Sequence, residues 1–72
     1  MPSFRRSKVE WTYAAPVPDM EQAMRIACDI LAEGGTAAAR LRLACIRFGA
    51  YPSQVINQWG DPRAWHQTPI AD

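Results

Sequence analysis

Residues 37–59, AAARLRLACIRFGAYPSQVINQW, hold two apolar patterns of helical spacing on either side of Phe48-Gly49-Ala50-Tyr51. Glycine accepts the left-handed backbone that ends a helix, and the fixed φ of Pro52 suits the first position of the next one. The chain must therefore turn sharply at Gly49, and its fold is arranged around that corner. Before the corner, Leu41, Ala44, Cys45 and Phe48 fall on one side of a helix. Ala39, Leu43 and Ile46 fall on another side, with Arg42 at one edge and Arg47 at the other. A helix apolar on two sides is central in a bundle or shared with a partner, so its second face needs a cover. Three covers are available: the arm with Trp11 and Tyr13, the tail with Trp65, or another subunit.

After the corner, a third helix is predicted from Pro52 to Trp59. Val55, Ile56 and Trp59 point inward, and Ser53, Gln54, Asn57 and Gln58 point outward. Gly60 ends it. Asp61-Pro62 opens one more turn through Trp65, and Pro69 ends regular structure. Upstream, Asp19 is an N-cap, and Gln22 three residues later completes a capping box. Met20, Ala23, Met24, Ala27, Ile30 and Leu31 form one apolar stripe, while Glu21, Arg25 and Asp29 make i,i+4 pairs on the wet side. Gly34-Gly35 stops this helix and Thr36 caps the next. The core expected from these stripes sets Met24, Ala27 and Leu31 against Leu41, Cys45 and Phe48, closed by Val55 and Trp59.

Residues 1–18 read as an arm. Val9, Trp11 and Tyr13 alternate with polar residues at the spacing of a short strand, and Pro16 and Pro18 keep the chain extended. With no second strand in the sequence, it must lie on the helices, pair with a partner or move freely. The expected organisation is an all-α domain: an arm over 1–18, a three-helix core with a helix-turn-helix-like corner over 19–60, and a short helical turn and tail over 61–72.

Seventy-two residues make one domain with a small core, burying about 60% of the unfolded surface. Three tryptophans in so short a chain imply that its ends also pack. No apolar run approaches the ~20 residues of a membrane span, and the basic start MPSFRRSKVE has no apolar stretch behind it, so a cytoplasmic protein is expected. Cys28 and Cys45, without a Cys-x-x-Cys partner, read as buried hydrophobes, and with the lone His66 they do not make a zinc site. Gly34-Gly35-Thr36 lacks the lysine of a phosphate loop. No enzyme, metal or cofactor is expected. The net charge of +1 hides a segregation: +3 over residues 1–8, −4 over 9–39 and +2 over 40–72. The local field matters more to a polyanion than the total.

The segment FGAYPSQVINQW resembles the turn and second helix of small phage repressors of the Cro type. Gly49 stands at the family's turn glycine, Cys45 at its small residue four before, and Val55 at its branched residue six after. Nine after the glycine the family is apolar, whereas this chain has Gln58, with Ile56 and Trp59 supplying apolar surface nearby. The resemblance spans about 20 of the 72 residues. It implies a small DNA-binding regulator of the phage or mobile-element kind, working as a homodimer or within a complex on double-stranded DNA. Gln54 and Asn57 would make paired hydrogen bonds to adenine, and Ser53 would reach a phosphate or base edge. Arg40, Arg42 and Arg47 would neutralise phosphates, with Arg5, Arg6 and Lys8 tracking the backbone. The residues alone offer a second reading, a protein-interaction module such as a phage-encoded inhibitor, adaptor or virion accessory protein. Its partner would meet Trp11, Tyr13, Leu43, Ile46 and Trp65.

Overall fold

A computed structural model describes residues 9–69 and sets six elements in chain order. They are strand β1 (Val9–Thr12), helices α1 (Met20–Glu33), α2 (Gly35–Phe48) and α3 (Pro52–Trp59), a 3₁₀ turn (Pro62–Ala64) and strand β2 (His66–Pro69). The domain is small and mostly helical, with an N-terminal arm and a C-terminal turn and tail, as the sequence predicts. No helix among the described residues is long and apolar enough to cross a membrane.

Local chemistry sets the helix boundaries. Asp19 stands in extended backbone and its carboxylate accepts the Glu21 amide at 3.0 Å, fixing the start of α1. Gly34, at φ 75°, ends α1 and is also the residue before α2, so the two helices meet without a linker. The predicted cap, Thr36, lies inside α2, which starts one residue earlier because two successive positive-φ glycines complete the reversal. Asp61 caps the 3₁₀ turn by accepting the Arg63 amide at 2.9 Å, and it also pairs with the Arg63 guanidinium. That side-chain bond holds the Asp61 carboxyl below its ordinary pKa. Its stabilising effect is complete above the ordinary carboxylate pKa and fades as pH falls through the lowered one. Among the described residues this is the one ion pair within 4.0 Å, so the expected Glu21–Arg25–Asp29 pairs do not form.

Helix α3 packs chiefly on α1, with α2 touching both. The core consists of Ala23, Ala27 and Ile30 from α1, Ala38, Leu41 and Ala44 from α2, Val55 and Ile56 from α3, and Trp65. This corrects the expected α1 face. Met20 and Met24 are 41% and 54% exposed, and the buried line is Ala23, Ala27 and Ile30. Alanines let α3 approach closely, and the bulk is supplied from the other side by Val55 and Ile56. Phe48 is also displaced from the core, stacking on Trp59 with ring centroids 5.1 Å apart. Cys28 is exposed rather than buried; Cys45 is half-buried, which pushes its thiol pKa up. Both are free thiols.

The arm's strand finds its partner within the chain. β1 and β2 pair antiparallel, with Trp11 opposite Gln67 and Thr12 opposite His66. Pro69 is the last residue of β2, a strand that the sequence does not announce. Tyr13 is the centre of an aromatic chain, 5.0 Å from both Trp59 and Trp65 and 6.0 Å from Phe48, and Trp11 meets Trp65 edge-on at 6.1 Å. Such pairs contribute about 0.5 to 1.5 kcal/mol each beyond their buried area. The described part of the arm therefore packs on α3 and the tail, and among the described residues nothing covers the Ala39/Leu43/Ile46 face of α2. Leu43 is 65% and Ile46 80% exposed.

Two glycines differ in what they require. Gly49 needs its left-handed backbone, φ 61° and ψ 42°, but an added Cβ would meet nothing within 4 Å. Gly60, at φ 83°, lies under the arm, and a Cβ there would sit 2.4 Å from the Ala15 carbonyl oxygen and 2.6 Å from the Ala14 Cβ. Gly49→Ala should therefore cost about 1 kcal/mol through backbone conformation alone, while Gly60→Ala should exceed the ~1 to 3 kcal/mol of backbone strain because the arm must also lift. Urea unfolding of the two variants checks this order; equal losses would mean that the arm does not seal Gly60.

Candidate functional surfaces at the helical corner and the outer face of the second helix

The corner between α2 and α3 is built from backbone hydrogen bonds. The amides of Gly49 and Ala50 both reach the Cys45 carbonyl, the latter at 3.1 Å, so the end of α2 is closed through the left-handed glycine. Tyr51 is extended, as the residue before a proline prefers, and Pro52 opens α3. The Gln54 side-chain oxygen accepts the Tyr51 amide at 2.9 Å, tying the first turn of α3 back to the corner. At Gly49 space is open and the backbone conformation alone selects glycine.

The outward residues of α3 divide by what they already bind. Gln54 is exposed, and after bonding Tyr51 it keeps both N–H donors and a further oxygen lone pair. Gln58, one turn on, is exposed beside it. Ser53 is half-buried, on the rim of an apolar groove of about 330 Å³ lined by Met24, Leu31 and Tyr51. Asn57 does not point freely outward as predicted. Its Nδ2 donates to the Val17 carbonyl at 2.8 Å and the Pro18 carbonyl at 3.1 Å. Both of its donors are spent, and an adenine pair needs one of them. Asn57 is a tether for the arm. A signal for this lies in the Pro16-Val17-Pro18 stretch, whose prolines cannot donate and whose exposed carbonyls need a donor from elsewhere.

The three arginines of α2 also separate. Arg40 donates to the Trp65 carbonyl at 3.3 Å, and its guanidinium carbon lies 5.4 Å over the Trp11 ring, so it holds the β1–β2 ribbon to α2. Arg42 and Arg47 are exposed and make no ion pair with any described residue. Arg5, Arg6 and Lys8 lie outside the described residues. Among the predicted partner residues, Trp65 is buried and Trp11 and Tyr13 are half-buried in the intramolecular aromatic chain. Leu43 and Ile46 alone remain fully available. The structure thus brings Arg42, Arg47, Leu43 and Ile46 together on the outer side of α2 and sets Gln54 and Gln58 on α3.

Asn57→Ala should lower stability by about 1 to 3 kcal/mol, because the part-buried Val17 carbonyl and the exposed Pro18 carbonyl both lose their donor. Gln58→Ala should stay within ~0.5 kcal/mol of the parent. Thermal unfolding of both variants tests the assignment; an Asn57→Ala protein as stable as Gln58→Ala would free Asn57 for a ligand role. Compared with models of known families, with characterised proteins and with solved structures, the chain has no match.

Proposed function

We propose that the chain is a small helix-turn-helix DNA-binding protein that places the exposed side of α3 against base edges. The observation that carries this reading is the α2–α3 corner: a left-handed Gly49, a three-residue turn and a second helix opened by Pro52, with Gln54 and Gln58 uncovered. Gln54 is the base-reading residue, since it retains the donor and acceptor that adenine N7 and N6 require. Ser53 contributes a phosphate or base-edge contact at the helix start. Arg42 and Arg47 neutralise phosphates, whereas Arg40 keeps the ribbon in place and Asn57 keeps the arm in place.

A second reading, a protein-interaction module, is favoured by a separate observation. Leu43 and Ile46 expose large apolar side chains on a face that no described residue of the arm or tail covers. On this reading the corner is a packing device and α2 carries the interface.

Retardation of a random-sequence DNA duplex at low salt separates the readings. The DNA reading expects binding at protein concentrations on the order of tens of micromolar or below, weakening steeply with salt. Arg47→Ala should lower the salt slope by about one unit for every sequence tested. Gln54→Ala should leave that slope alone and cost about 1 to 3 kcal/mol of discrimination at one position of the preferred site. Absence of any retardation overturns the DNA reading.

A further inference from the structure

We propose that the outer face of α2 docks an acidic amphipathic helix from a partner protein; this rests on the second reading above and supplies its partner chemistry. Ala39, Leu43 and Ile46 lie at i, i+4 and i+7, forming a stripe about 10 Å long, the length of two turns of a facing helix. The stripe is bare, with Leu43 65% and Ile46 80% exposed.

The charge around it has one sign. Helix α2 contains three arginines and no carboxylate. Arg40 is held inward by Trp65 and Trp11, which leaves Arg42 and Arg47 at opposite edges of the stripe, unpaired with any described residue. An apolar seam with a cation on each edge is the complement of a helix with an apolar seam and carboxylates beside it, the arrangement that sets partner choice in paired helices. The stripe itself offers nucleic acid no hydrogen-bonding group, since only Ala39, Leu43 and Ile46 stand between the two arginines. A lipid surface fits it poorly as well, since three apolar side chains fall short of the broad face an interfacial helix inserts. Docking here covers Arg42 and Arg47, so a bound partner would withdraw both from any DNA contact.

Two synthetic helices of about 18 residues, long enough to be helical alone, test this. They share one leucine stripe and differ only in carrying glutamate or lysine beside it. Each is titrated into the isotope-labelled full chain and followed by NMR. The glutamate helix should bind with shifts centred on residues 39–47, and more weakly as salt rises. Leu43→Ser combined with Ile46→Ser should weaken it at least about tenfold, with unchanged melting because both side chains are exposed. Arg42→Glu combined with Arg47→Glu should transfer preference to the lysine helix. Equal binding of both helices at this face would overturn the acidic chemistry and leave the interaction reading standing. Failure of both helices at concentrations on the order of 1 mM would overturn the interaction reading too. Binding of anionic phospholipid vesicles instead of either helix, or a dimer of the free chain abolished by the Leu43/Ile46 variant, would replace the acidic helix with a membrane or a second copy and overturn the proposal.

Discussion

Helix α3 has eight residues, and its last carbonyls are satisfied by groups drawn from both flanks of the domain. The Trp59 carbonyl accepts the Ala14 amide at 3.1 Å and the Trp65 indole N–H at 2.8 Å, while Val17 donates to the Asn57 carbonyl at 3.1 Å. A helix this short gains little from its own backbone bonds, and its C-terminal carbonyls have no partners within it. Here the arm and tail provide those partners. The same bonds place Tyr13 between Trp59 and Trp65 and bring the arm over Gly60. The aromatic chain, the ribbon and the position of α3 on α1 all depend on this closure of one helix end.

Much of the helical framework is legible in the sequence because short-range chemistry decides it. Asp19, the Gly34-Gly35 pair, Gly49, Pro52 and Gly60 mark boundaries through backbone preferences that need no tertiary information. The face of α1 is less legible. Met24 and Ala27 belong to one apolar stripe, and choosing between them requires knowing that a slender partner, α3, comes close enough to prefer alanine. The ribbon is less legible still. HQTP has none of the β-branched or aromatic runs that announce a strand, and it becomes one only because Trp65 is anchored under Tyr13 and directs the following residues along β1.

The candidate surface was legible in outline and altered in detail for the same reason. Residue type alone nominates every arginine on α2 and every amide on α3. Tertiary hydrogen bonds then remove Arg40 and Asn57, which serve the arm and the ribbon. Trp11 and Trp65 undergo a similar reassignment: residue type makes them interface candidates, and in the fold Trp65 is buried and Trp11 half-buried. What remains outside is a division between an apolar, arginine-edged α2 and an α1 whose solvent side is mainly acidic.

The pairing of β1 with β2 also constrains the order in which the domain can be completed during synthesis. Thr12 emerges from the ribosome long before His66, its opposite number in the ribbon. At about 5 to 20 residues per second, the earlier strand waits on the order of seconds. Until Trp65 follows α3, the Trp59 carbonyl has the Ala14 amide to accept but not the indole N–H that completes the closure. Trp11 then lacks the Trp65 ring and Tyr13 one of its three aromatic neighbours, so the chain presents more aromatic surface before β2 is added than after. Its tendency to self-associate is therefore greatest before Trp65 and β2 have joined the arm.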